Sequence, residues 1–188
     1  MNESRTRFLL LAAASLAAAD LVTKWWIFRE FPIGVERPVI EGFFSLCPMR
    51  NDKLPWSLGK GYEAALRFVL PLLSVAACVL IYRYLRQADT RDRVRCIGFA
   101  LILAGAAGNF WDRSATALDA TYGGVRDFLL FHRVWFGKTF PAFNLADTWI
   151  TVGVALVAWR ILFEWHPPEE RGAPAPEAAA DPPVGILP

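Results

Sequence analysis

Apolar residues in this chain gather into four long runs separated by polar, Gly- and Pro-containing stretches. The runs extend from Phe8 to Phe28, Ala64 to Tyr82, Cys96 to Trp111 and Leu145 to Phe163. About 20 consecutive apolar residues, wound as a helix, cross the hydrocarbon core of a bilayer. The third run is shorter and rich in Gly and Ala, which suits close helix–helix packing. The pattern predicts an all-α membrane protein with four transmembrane helices in one compact domain, residues 1–165.

Charge orients these helices. Arg83, Arg86, Arg91, Arg93 and Arg95 crowd the link between the second and third runs, Arg5 and Arg7 precede the first, and Arg160 lies near the end of the fourth. By the positive-inside rule these regions are cytoplasmic. Both termini then lie inside, and residues 29–63 and 114–144 form outer loops. A nucleic-acid site is the weaker reading of the basic link, since topology alone accounts for it.

With that orientation the costly polar residues sort by depth. Asp20 and Lys24 fall in the outer half of the first helix, Asn109, Asp112 and Arg113 at the outer end of the third, and Asn144, Asp147 and Thr148 at the outer start of the fourth. The inner halves are almost wholly apolar. Asp20 and Lys24 are four apart, as are Asn109 and Arg113, so each pair shares a helix face. Lipid offers no hydrogen-bond partner, so these faces should point into the bundle.

Each group has a structural and a functional reading. Asp20 and Lys24 form an intrahelical ion pair or serve the site directly. Asp112 reads best as an interfacial pair with Arg113, reaching toward water. Asn109 can bind helices together, and Asn144 suits a helix N-cap. Asp147 lies past that cap, in the first turn, where the helix dipole favours an anion; an intramembrane carboxylate is a functional candidate. In "GGVRDFLLF", Asp127 follows Gly123–Gly124 and precedes an apolar stretch suited to lying on the membrane surface. That would hold Asp127 at the mouth of the bundle.

Composition agrees with the pattern. The 188 residues are 55% hydrophobic with mean hydropathy +0.31, which excludes an ordinary soluble domain. The net charge of +2 adds little. The N-terminal run imitates a secretory signal, but it continues through "LVTKWWIF" and is long enough to span. Cys47, Cys78 and Cys96 show no bridging pattern and read as packing residues. His132 stands without ligand spacing around it. Residues 166–188, rich in Pro, Ala and Glu, read as a disordered cytoplasmic tail.

Four segments together resemble the lipoprotein signal peptidase (signal peptidase II) family: "DLVTK" (20–24), "AGAAGNFWDR" (104–113), "GGVRDF" (123–128) and "FPAFNLADTWITVG" (140–153). The resemblance covers roughly residues 8–163, with order and topology matching. It implies four transmembrane helices with a small β-containing outer region. It implies a multi-pass aspartic protease of the bacterial inner membrane that cuts diacylglyceryl prolipoproteins on the N-terminal side of the lipidated cysteine. Asp127 and Asp147 then match the catalytic dyad, and Asp20, Lys24, Asn51, Asn109, Arg113, Asn144 and Ala146 match supporting positions. No cofactor, metal or nucleic-acid partner is implied; prolipoproteins and membrane lipids are the partners, and a monomer is expected. One stretch departs from the family: in "RNDKLPWSLGKG", Asn51 and Ser57 remain and Trp56 stands for an aromatic, but Lys53 and Leu54–Pro55 replace small residues.

Two carboxylates held close cannot both ionise, so one keeps a proton while its partner activates water. A site at outer-leaflet depth suits a lipidated substrate, with Trp56, Phe128, Trp135 and Phe140 available to cover it or to form an interfacial belt. A proton-coupled transporter would need ionisable groups across the bilayer, and the apolar inner halves lack them. A catalytically altered homologue that binds lipidated peptides is the other alternative.

Overall fold

A computed structural model of the chain describes residues 3–51, 61–87, 92–133, 137 and 139–163. The four helices are α1 (Glu3–Glu30), α2 (Glu63–Gln87), α3 (Arg93–Leu118) and α4 (Leu145–Leu162). All four are long and apolar enough to cross a membrane. Between α1 and α2 run strands β1 (Arg37–Ile40) and β2 (Phe44–Asn51); between α3 and α4 lie a short 3₁₀ turn (Ala120–Tyr122) and strand β3 (Val125–Phe131). The strands form one antiparallel sheet in the order β1-β2-β3.

The helices outrun their apolar cores. α3 extends to Leu118, so residues 114–118, expected in an outer loop, are helical and Asp112 and Arg113 lie inside a helix. Hydropathy marks only the lipid-matched length, whereas a helix continues until its terminal groups find other partners. Here Asp92 caps the start, accepting from the Arg95 amide at 3.1 Å, and the Asp119 amide closes the end on Ala115 O at 2.8 Å.

Burial is inverted relative to a soluble bundle. Leu72, Leu80, Ile161 and Leu162 are exposed, as lipid-facing positions require. At one end of the bundle a small apolar core joins Ile81 and Leu85 of α2 to Cys96 and Ala100 of α3, with Leu9 and Leu10 of α1 against it. The other end carries the sheet and the buried polar residues. α3 packs against the three other helices. Against α4 it does so backbone to backbone: a Cβ at Gly153 would lie 2.6 Å from Gly98 O, and one at Gly105 would run into Ala146 O.

Asp127 and the segment after it form strand β3, paired to β2 with Met49 opposite Asp127 and Arg50 opposite Arg126. The register shifts between Leu46 and Met49, where Pro48, lacking an N–H, cannot support a regular ladder. Phe143, just before α4, exchanges hydrogen bonds with Leu129 (3.0 and 2.8 Å), tying the entry of α4 to β3. The three cysteines are free thiols. The tail and the departing stretch at Lys53–Ser57 lie outside the described residues.

Candidate active site

The first turn of α4 organises the polar cluster. A helix start leaves backbone N–H groups without intrahelical partners. Asn144 has extended backbone and acts as N-cap: its Oδ1 accepts from the Asp147 amide at 3.0 Å, and Asp147 Oδ2 accepts from the Asn144 amide at 3.2 Å. This reciprocal capping box fixes the Asp147 carboxylate. Asp20 on α1 fills a third position, accepting from the Ala146 amide at 2.9 Å. Ala146, fully buried against α3, contributes its main chain, and its small side chain permits the close packing.

Lys24 ties α1 to α3. Its ammonium lies 2.8 Å from Asp20 Oδ2, 3.2 Å from Asp112 Oδ2 and donates to Asn109 Oδ1 at 2.8 Å. The Asp20–Lys24 ion pair expected from their spacing is present, and it is also interhelical glue. Asn109 passes the contact on: its amide donates to Asp147 Oδ1 at 2.8 Å, while its Oδ1 also accepts from Asn144 Nδ2 at 3.1 Å.

Asp127 enters from β3. Asn144 Nδ2 donates to its Oδ1 at 2.7 Å, and Asn51 Nδ2, from the end of β2, donates to its Oδ2 at 3.0 Å. Asn144 therefore bridges the two carboxylates, giving its side-chain amide to one and its backbone N–H to the other. Among the described residues, the donors to both groups are neutral amides. Burial, and then the charge of Asp147, push the Asp127 carboxyl up to about 7, against the opposing pull of the Asn51 and Asn144 hydrogen bonds. Arg113, half-buried, is placed so that its charge bears on Asp147, Asp127 and Asp112.

The structure thus gathers Asp20, Lys24, Asn51, Asn109, Asp127, Asn144, Ala146 and Asp147 into one connected cluster, with Arg113 beside it. Asp112 departs from expectation. It does not reach for water beside Arg113 but is fully buried, taking Arg126 Nε and Tyr122 Oη on Oδ1 at 2.8 and 2.7 Å. The signal for this lies in its spacing: Asp112 is three residues after Asn109, hence on the same face. Phe128 is buried at 1% exposure; Phe140 is partly exposed, its ring 5.7 Å from Phe143. Trp56 and Trp135 lie outside the described residues. His132 is satisfied locally, with Nε2 at 2.9 Å from Glu36 Oε1 and 3.2 Å from Ser45 Oγ.

Beside Asn51 opens a cavity of about 200 Å³, lined by Arg67 and Leu70 of α2, Arg113 and Thr116 of α3, and Gly124 before β3. It meets the cluster at Asn51 and Arg113, while Asp127 and Asp147 are not among its lining residues.

Four apolar spans, a small sheet at one end, and one buried and one half-buried carboxylate held by a single asparagine define a polytopic membrane protein. The family profile described as "Signal peptidase (SPase) II" matches residues 12–163. A lipoprotein signal peptidase of Symbiobacterium thermophilum is 34% identical over 148 residues, covering 79% of this chain and 90% of that protein. One from Syntrophotalea carbinolica is 33% identical over 166 residues, covering 88% and 96%. A solved bacterial membrane enzyme structure, determined by the in meso method at 2.3 Å, superposes with TM-score 0.68 at 28% identity, covering 82% of this chain and 87% of that one. The chain belongs to the signal peptidase II family.

Proposed function

We propose that this chain is an aspartic endopeptidase that removes the signal peptide from diacylglyceryl prolipoproteins, cutting on the N-terminal side of the lipidated cysteine, with Asp127 and Asp147 as the catalytic pair. The observation that carries this reading is the bridging of the two carboxylates by Asn144, with Asp127 titrating near neutrality. Relatives named lipoprotein signal peptidase supply the substrate class.

In the proposed reaction the pair works with one proton, which the raised carboxyl of Asp127 can supply. Its ionised member takes a proton from water, which attacks the scissile carbonyl. Its protonated member donates to the carbonyl oxygen, and a proton then passes to the leaving amine. Asn109, Asn144 and Asn51 orient the carboxylates without neutralising them. Arg113 offsets their charge from the side of the cavity. A transporter reading lacks support, because the opposite end of the bundle is packed with Ile81, Leu85, Cys96 and Ala100. An altered, binding-only homologue is not favoured, since the matched relatives are named lipoprotein signal peptidases.

The enzyme sits in the bacterial inner membrane with both termini cytoplasmic and the site near the outer face. Arg83, Arg86, Arg93 and Arg160 at the end away from the sheet support that orientation. A lipidated cysteine would then present its acyl chains at the depth of the cluster.

The test is a cleavage assay in detergent with lipidated and unlipidated precursor. The wild type should cut only the lipidated form. Asp127→Asn and Asp147→Asn should each lose cleavage by at least about 10³-fold, the order of losing a general acid–base group, while remaining folded. Normal turnover by either variant removes the proposed mechanism.

A further inference from the structure

The mechanism leaves unused the residue immediately before Asp127. Successive side chains of a strand point to opposite faces, so Arg126 turns away from the carboxylate pair and toward α3. There Asp112 holds it twice: Arg126 Nε donates to Oδ1 at 2.8 Å, and the Arg126 backbone N–H donates to Oδ2 at 3.3 Å. The same buried carboxylate accepts from Tyr122 Oη at 2.7 Å and lies 3.2 Å from Lys24 Nζ. Across the strand pair, Arg50 is the register partner of Arg126. Two like charges side by side on a sheet repel. Here Asp112 neutralises one, and the other is stacked over Tyr122 at 4.0 Å and Phe28 at 5.1 Å.

This clasp falls where Asp127 needs an anchor. Asp147 is set by a helix and its capping box. Asp127 sits on a strand that follows Gly123 and Gly124, both at positive φ (78° and 101°), and that pairs with a strand whose register slips between Leu46 and Met49. Neither feature fixes a carboxylate to a fraction of an ångström. The Asp112 carboxylate does, because it grips side chain and backbone of the adjacent residue at once. It also connects, through Lys24 and Asn109, to Asp147 itself.

We propose that Arg126 is a positioning residue: by clasping Asp112 it locks β3 onto α3 and holds the Asp127 carboxylate in register with Asp147. The inference rests on the proposed catalytic pair, but the two fail separately, because loss of cleavage in Asp127→Asn is measured independently of Arg126.

The experiment uses the full chain in detergent with a lipidated precursor, comparing the wild type, Arg126→Met, Arg126→Lys and Arg126→Gln. The groups facing Asp127 are Lys24 from α1, Arg113 from α3 and Asp147 from α4, with the Asn51 and Asn144 amides; Arg126 points away from it. Arg126→Met should lower kcat by about 10²-fold, the order expected for displacement of a reacting group by about 1 Å, with KM changed less than twofold. The basic limb of its pH profile should move below its wild-type position, because a displaced Asp127 is better solvated and farther from Asp147. Arg126→Lys should recover part of kcat and return the limb toward the wild type. Unchanged kcat and limb in Arg126→Met overturn the proposal. So does a loss that matches the lost folded fraction alone, or a limb that moves upward, which would mark removal of charge rather than of position. Should Arg126→Met not fold, Arg126→Gln decides: it removes the charge but keeps a side-chain donor for Asp112, so a smaller fall in kcat with the same downward movement of the limb and KM intact is expected, and an upward movement overturns the proposal.

Discussion

Asp127 gathers the largest consequences at the scale of single residues. Its carboxyl is raised from 3.8 to about 7 by burial and by Asp147. Cleavage that needs one proton on the pair should therefore fall as pH rises above about 7, approaching tenfold per pH unit in a kcat/KM profile. The Asn51 hydrogen bond pulls the other way, so Asn51→Ala should move that limb upward. The raised carboxyl bears on stability as well. A carboxyl whose folded pKa is raised is most favourable below its unfolded value and loses that contribution as pH rises through about 7. Asp127→Asn should then stabilise the protein relative to wild type by a few kcal/mol at pH 8 and by little at pH 4, since each tenfold change in proton affinity on folding is worth about 1.4 kcal/mol. Thermal unfolding in detergent at the two pH values checks it; an equal offset at both would argue against the buried, shared proton.

Elements matter because the site is assembled where two helices touch. The packing of α3 on α4 leaves no room for a Cβ at Gly108, which would lie 2.7 Å from Asp20 Oδ2 and 3.1 Å from Ala146 Cβ. Gly108→Val should push the start of α4 away, costing about 1–3 kcal/mol of stability as overpacking does and cutting kcat with it. The capping box supplies a second handle. Asn144→Ala removes the N-cap, worth about 1 kcal/mol, and also the amide that joins Asp127 to Asp147. Its kcat should fall far more than its melting temperature, and a variant losing only stability would show that Asn144 is merely a cap.

For the whole molecule, one ammonium ties the bundle together. Lys24 is fully buried between Asp20 and Asp112 and bonded to Asn109. Lys24→Met should leave the buried Asp20 carboxylate uncompensated and Asp112 with Arg126 alone, a loss of about 3–5 kcal/mol for a broken buried pair. That exceeds what any single lipid-facing change should do. Leu72→Ala, at an exposed position of α2, is the natural control in the same unfolding measurement.

Much of this architecture is legible from the residues alone. The four apolar runs mark the spans, because the bilayer dictates a length that composition reveals. Depth sorting places Asp20, Lys24, Asn109, Asn144 and Asp147 at one end, because lipid tolerates such groups only where they find partners. The cap at Asn144 and the Asp20–Lys24 pair follow from local spacing. Spacing assigns residues to a helix face, but it does not say what lies opposite. Which strand brings Asp127 to Asn144, and that Asp112 takes Arg126 rather than its neighbour Arg113, depend on helix packing and sheet register. Those are set by backbone contact at residues such as Gly105 and Gly153 and by a slipped ladder in β2. Two carboxylates twenty positions apart in the chain acquire a common amide only through that long-range packing, because no local rule of helix or strand reaches so far.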